Sequence, residues 1–283
     1  MKNILLAGGL AMVGTLLGTR VLIGFLVRKH YGQFIRDDGP TAHHTKRGTP
    51  TMGGIVIIIS VVLAYFLAHL LTWTPITASA LLVLYLFVGH GVLGFMDDWA
   101  KISKQRSLGL TGRAKLIGQA FLAGSFGYLA LQLPNAKGIH PASSAISFLR
   151  DISWLTLPTA LAVVWMILLI AGASNAVNLT DGLDGLASGA ATMVFVAYAL
   201  INIWQFNQWC GNASTQGPRC YQVRDPYDLA VVAMALAGAC FGFLWWNAKL
   251  AKIFPGATGF LFLGAGLAGL AICTRTEFLL VVL

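Results

Sequence analysis

Long apolar runs separated by short polar stretches repeat along the whole chain. They lie at roughly 4–27, 52–73, 78–96, 115–133, 154–174, 185–205, 227–246 and 258–273, and a ninth begins at Phe278. Each complete run is near the ~20 residues that a helix needs to cross the hydrocarbon core of a bilayer. The first run follows Lys2, as a signal peptide would. It is long for such a segment and has no clear small-residue cleavage site, so it is read as a span. The pattern predicts an all-α polytopic membrane protein of about nine transmembrane helices, forming a single transmembrane domain over residues 1–283.

Composition points the same way. Of 283 residues, 57% are hydrophobic and 10% charged, with a mean hydropathy of +0.75. Soluble domains carry about 25% charged residues, so the bilayer is the solvent. The formal net charge of +9 would suggest nucleic-acid binding in a soluble protein. No aromatic-basic platform accompanies it here, and no nucleic-acid partner is expected.

The basic residues alternate between connections. Arg28, Lys29, Arg36, Lys46 and Arg47 lie in 28–51, and Lys101, Lys104, Arg106, Arg113 and Lys115 lie in or just after 97–114. Lys249 and Lys252 lie in 247–257. The other side has Lys2, Lys137, Arg150, Arg219, Arg224 and Arg275. The positive-inside rule then puts the N-terminus outside and the basic loops in the cytoplasm. Connection 175–184 falls on the cytoplasmic side without a single Lys or Arg.

Four cysteines are present. Cys240 and Cys273 sit in apolar runs as small hydrophobes. Cys210 and Cys220 flank a polar loop, a spacing that permits a disulfide in an oxidising compartment. Asn212-Ala213-Ser214 fits a glycosylation sequon, a pattern frequent by chance.

The acidic residues are scarce and grouped. Asp97 and Asp98 are placed by the hydrophobic pattern at the end of the third span, followed by Trp99 and Lys101. Adjacent carboxylates at the negative end of a helix dipole repel, and interfacial anchoring would use one acid. The pair suits magnesium or a base with its orienting partner. The second group is Asn175, Asn178, Asp181 and Asp184, with Gly182 and Gly185 among them and no basic neighbour. In a helix, Asn178, Asp181 and Asp184 would recur at i, i+3 and i+6 on a similar side. Oxygen donors of that kind suit Mg²⁺. Capping of the next helix would explain one Asp.

Lys46-Arg47-Gly48-Thr49-Pro50-Thr51-Met52-Gly53-Gly54 enters the second span with basic, hydroxyl and glycine residues. It reads as a phosphate cradle or as a basic anchor before a Pro-started helix. Asn247, Lys249, Lys252 and Phe254 meet a Gly-rich turn before the eighth run; Phe254 could stack on a nucleobase or sit at the interface. His43 and His44 read as loop residues, His69 and His90 as satisfied packing residues.

Together these stretches resemble the phospho-N-acetylmuramoyl-pentapeptide transferase family, over the length of the chain. The resemblance implies a ten-helix fold, Mg²⁺, and transfer of phospho-MurNAc-pentapeptide from UDP to undecaprenyl phosphate at the cytoplasmic face of the bacterial plasma membrane, releasing UMP. It implies that Asp97 and Asp98 are the paired catalytic aspartates, one of which deprotonates the lipid phosphate or, in an older proposal, attacks as a nucleophile. By the same resemblance Asp184 is catalytic, Asn178 is associated with the metal, and Asp181 lines the nucleotide-sugar site. Lys46, Thr51 and Asn247 are implied as polar substrate contacts and Phe254 as the residue on uracil. A homodimer is compatible with this reading.

The chain departs from the family pattern in its fourth motif. Where the family reads Met-Gly-Asp-Thr-Gly-Ser, this sequence has Pro255-Gly256-Ala257-Thr258-Gly259-Phe260. Ala257 stands where a magnesium-binding aspartate is expected, and a methyl group ligates no metal. Lys249-Leu250 replace the usual Ser-Pro. The chain reads as C-terminally incomplete, lacking a histidine-rich loop and a tenth helix, and its activity is expected to be strongly impaired. Two alternatives stay open: a related transferase using GlcNAc-1-phosphate, and a non-catalytic homologue. A transporter is disfavoured, because no connected acid–base relay lies mid-span.

Overall fold

The computed structural model describes residues 1–29, 49–104, 109–180, 183–210, 217, 220–248 and 251–282. Eight long helices dominate: α1 (Lys2–Arg28), α2 (Gly54–Thr72), α3 (Ala78–Ser103), α4 (Gly112–Gln132), α5 (Thr159–Leu179), α6 (Leu186–Asn207), α7 (Pro226–Asn247) and α8 (Gly256–Cys273). All eight are long and apolar enough to cross a membrane, and the protein is a polytopic all-α membrane protein. Where the ninth run begins, Phe278–Val281 forms a single 3₁₀ turn. Four residues make too few i→i+4 bonds to sustain an α-helix.

Helix α8 is the most deeply buried span. It is apolar all round, as a helix enclosed by others must be, and rich in Gly and Ala. Small residues let helix backbones approach closely. A Cβ at Gly264 would collide with the Ala173 carbonyl of α5, and one at Gly94 of α3 with that of Ala257. Helices α1 and α7 join in the same manner, Gly238 lying against the carbonyl of Gly8 and Gly242 against that of Met12.

Successive helices alternate in direction, so the ends of α3, α5 and α7 share one end of the bundle with the starts of α2, α4, α6 and α8. At the opposite end the connections are more elaborate. Between α4 and α5 the chain forms an antiparallel hairpin, β1 (Ala145–Ser147) with β2 (Asp151–Thr156), so the apolar run expected at 154–174 becomes helical only from Thr159. Cys210 and Cys220 are bonded, and Cys240 and Cys273 are free and buried. The Arg150 guanidinium lies over the Tyr221 ring and donates to the Cys220 carbonyl, tying the hairpin to the disulfide-bearing turn. Exposed Trp73, Trp154 and Trp204 lie toward this end, as aromatic residues do where helices meet lipid head groups.

Candidate active site

Helix α3 does not stop where its apolar run does. It continues to Ser103, so Asp97 and Asp98 lie inside the helix instead of ending it. Two adjacent buried carboxylates are tolerated there because Lys101 serves both and each has further donors of its own. The Asp97 Oδ2 atom meets the Lys101 ammonium at 2.7 Å and that of Lys115, from α4, at 3.0 Å. Its Oδ1 accepts from the backbone N–H of Leu110 at 2.8 Å. Gly109 passes so close that a Cβ there would strike Asp97. Asp97 is thus enclosed by the turn joining α3 to α4.

Asp98 faces the other way, toward the amino end of α8. Its Oδ1 accepts from the Ala257 N–H at 3.2 Å and from Lys101 at 3.2 Å. Its Oδ2 accepts from the Thr258 N–H at 2.9 Å and the Thr258 hydroxyl at 2.7 Å. The first N–H groups of a helix have no partner within it and carry the positive end of its dipole, so a carboxylate is well suited to that place.

The segment leading into α2 completes this corner. Phe254 donates its N–H to the Pro50 carbonyl at 2.9 Å, Gly53 donates to the Phe254 carbonyl at 2.9 Å, and Gly54 donates to that of Pro255 at 3.0 Å. A Cβ on Gly256, whose φ is +73°, would crowd both Asp98 Oδ2 and the Thr51 hydroxyl. Thr51 therefore stands beside Asp98.

Asp184 sits in the turn before α6, and its Oδ2 accepts from the Ala251 N–H at 3.3 Å. Asp184 is thereby fastened to the short connection between α7 and α8, and Asp98 to the start of α8 that follows it. The helical register expected for Asn178, Asp181 and Asp184 breaks here. Asn178 is half-buried near the end of α5, while Asp184 lies beyond that helix in the turn. Nor does Asp184 cap α6, whose cap position is Gly185 in the left-handed region. Asn175 donates to the Gln119 side chain of α4 at 3.0 Å.

Asn247 and Phe254 are both buried. The Asn247 amide accepts from the Ser188 hydroxyl at 3.0 Å and donates to the Ile253 carbonyl at 3.0 Å. It joins α6, α7 and the connection into α8, so its polar atoms are engaged inside the protein. Lys46, Asp181, Lys249, His43, His44 and the sequon 212–214 lie outside the described residues.

The donor set does not make a cation cage. Among the described residues no three His, Cys, Asp or Glu side chains group as one. Asp97 is turned to two ammonium groups, Asp98 to amide and hydroxyl donors, and Ala257 offers a methyl.

Spacing alone could not have revealed Lys115 and Thr258 as partners of the paired aspartates. A second polar cluster was missed as well, at the opposite end. There the Asp228 carboxylate meets His69 Nε2 at 2.8 Å and accepts from Tyr65 at 2.9 Å and from the Thr77 hydroxyl at 2.7 Å.

The family model described as glycosyl transferase family 4 matches residues 79–275. A signature of phospho-N-acetylmuramoyl-pentapeptide-transferases matches residues 46–58, which include Lys46 and Thr51. A phospho-N-acetylmuramoyl-pentapeptide-transferase of Cutibacterium acnes is 66% identical over 283 residues, covering 100% of this chain and 80% of the relative. Another, from a Nocardioides species, is 61% identical over 286 residues, with coverage of 100% and 79%. A third, from Streptomyces avermitilis, is 56% identical over 285 residues, with coverage of 100% and 80%.

Proposed function

The chain belongs to the phospho-N-acetylmuramoyl-pentapeptide-transferase branch of glycosyl transferase family 4, and from that premise we propose that its site is built to move phospho-MurNAc-pentapeptide from UDP to undecaprenyl phosphate. The reaction would take place at the cytoplasmic face of a bacterial plasma membrane. The observation that carries this reading is the convergence of Asp97, Asp98 and Asp184 at one end of the bundle. That end also carries Lys101 and Lys115, whose side chains are 31% and 23% exposed.

In the proposed reaction the lipid phosphate attacks the β-phosphorus of the nucleotide sugar, and UMP leaves. Both reactants are anionic, so positive charge at the meeting point supplies much of the rate. Lys101 and Lys115 are close enough to Asp97 to be held and exposed enough to meet phosphate oxygens. Asp97 orients the two ammonium groups, Thr51 offers a hydroxyl beside Asp98, and Asp184 holds the connection that carries Phe254. A site at the helix ends lets a water-soluble donor meet a lipid head group without either leaving its phase.

Magnesium would neutralise phosphate charge if bound, and Asn178, Asp181 and Asp184 are the oxygen donors whose chemistry suits it. The donors around Asp97 and Asp98 do not fit a divalent ion, and Ala257 adds none. We therefore read the chain as a transferase with strongly reduced turnover. The test is UMP release by the purified chain in detergent with undecaprenyl phosphate, comparing labelled UDP-MurNAc-pentapeptide with UDP-GlcNAc. Slow turnover confined to the muramoyl donor is expected. Family-like turnover would overturn the impairment, and preference for UDP-GlcNAc would overturn the substrate.

A further inference from the structure

The amino end of α8 is satisfied from another helix. Pro255 occupies its cap position and supplies no side-chain acceptor, and its first turn holds no acid. The N–H groups of Ala257 and Thr258 and the Thr258 hydroxyl all donate to Asp98 of α3. Lys101, one turn on, balances the charge. The two oxygens of Asp98 thus serve three donors and an ammonium, all within a buried corner where Gly94 of α3 lies against the backbone of Ala257 and Thr258.

We propose that in this chain Asp98 is a positioning residue, the cap of α8 supplied in trans, and that the methyl group at position 257 is what leaves the helix end open to it. A carboxylate at 257 would start on the very residue whose N–H donates to Asp98. It would bring a second negative charge to a helix end that one carboxylate already neutralises, and the two would repel. It would also give the first turn of α8 an acid of its own. With alanine there, Asp98 docks without competition, and its lone pairs are directed to protein donors. The corner is then a structural joint between α3 and α8 instead of a seat for a divalent cation. This deepens the reading of reduced turnover and rests on it for its functional meaning, while the joint itself is open to separate test.

The experiment uses the full chain in detergent, with thermal unfolding followed by tryptophan fluorescence and Mn²⁺ titration followed by electron paramagnetic resonance. Asp98→Ala should lower the midpoint on the order of 5 °C. Asp98→Asn should avoid most of that loss, because Asn caps a helix about as well as Asp. In an Ala257→Asp background the cost of Asp98→Ala should fall to less than half. Saturable Mn²⁺ binding at this corner should be absent from the parent chain and appear in Ala257→Asp. If Asp98→Ala does not fold, Thr258→Val removes one donor and carries the same comparison, with a loss in the parent background and little in Ala257→Asp. Equal losses in both backgrounds, an Asp98→Ala or Thr258→Val protein as stable as the parent, or Mn²⁺ binding by the parent that is as tight as by Ala257→Asp and is lost in Asp98→Ala would each overturn the proposal. Family-like UMP release with the coupling between 98 and 257 intact would sink the reading of reduced turnover and leave the joint standing.

Discussion

Asp97 of α3 and Lys115 of α4 face each other 3.0 Å apart, and Lys101 reaches the same carboxylate oxygen at 2.7 Å. Two ammonium groups on one buried oxygen make a redundant arrangement. Lys115→Met should therefore cost about 1 kcal/mol, since Lys101 still neutralises Asp97. The double variant Lys101→Met with Lys115→Met leaves a buried charge uncompensated, which costs about 3–5 kcal/mol. The double loss should exceed the sum of the singles, as expected when two groups share a partner. Thermal unfolding of the three variants checks this, and simple additivity would refute it.

This pair also shows where the sequence stops being readable. The span pattern, the shared end of the polar motifs and the Cys210–Cys220 pairing follow from hydropathy and spacing, because each is a local property. The end of α3 is not legible, because Asp97 and Asp98 look like a boundary until their partners are known. Lys101 is local, but Lys115 belongs to another helix, and Ala257 and Thr258 lie far along the chain. The hairpin was hidden because β1 has three residues, too few for a period-two pattern to register. The spacing puts Asp184 on a helical face with Asn178, yet α5 ends at Leu179 and Gly185, with a φ of +77°, is already the cap position of α6. His69 could be read as a satisfied residue, but nothing local names Asp228 as the group that satisfies it.

That His69–Asp228 pair makes a second stability prediction. Asp228 is buried and bound to His69, Tyr65 and both the N–H and hydroxyl of Thr77, so it joins α2, α3 and α7. Asp228→Ala leaves four polar groups without their acceptor and should cost on the order of 3–5 kcal/mol. Replacing both members, His69→Leu with Asp228→Leu, should be milder, because the imidazole is no longer left unpaired. Unfolding midpoints of the single and double variants decide it. A double variant less stable than Asp228→Ala would refute the argument.

Packing of α1 on α7 gives a third test. Gly238 lies so near the Gly8 carbonyl that even a methyl group collides with backbone, which cannot swing aside as a side chain can. Gly238→Ala should force the helices apart and lower folded yield in detergent severely. Gly172 of α5 has open space around its position, so Gly172→Ala should be tolerated or slightly stabilising. Monodispersity and unfolding midpoint of the two proteins make the comparison, and equal behaviour would show that the close approach is unimportant.

The last test concerns pH. Glu277 follows α8 at the end of the bundle opposite the aspartate cluster and is buried. Its Oε2 accepts from the Trp165 indole at 3.1 Å and from the Ser147 N–H of β1 at 3.2 Å. Burial pushes its carboxyl from 4.5 up to about 7, against the opposing pull of the Trp165 and Ser147 hydrogen bonds and of Arg275, while Asp151 adds to the rise. Between those two values the folded protein holds a proton that the unfolded chain has released. Each pH unit gained in that window therefore removes about 1.4 kcal/mol. The contribution is fully present below 4.5 and is lost as the pH rises through 7. In Glu277→Gln the side chain cannot ionise, and stability should change much less between pH 5 and 7 than in the parent. Denaturation midpoints of both proteins across that range measure the difference; parallel profiles would mean that Glu277 ionises freely in the folded state.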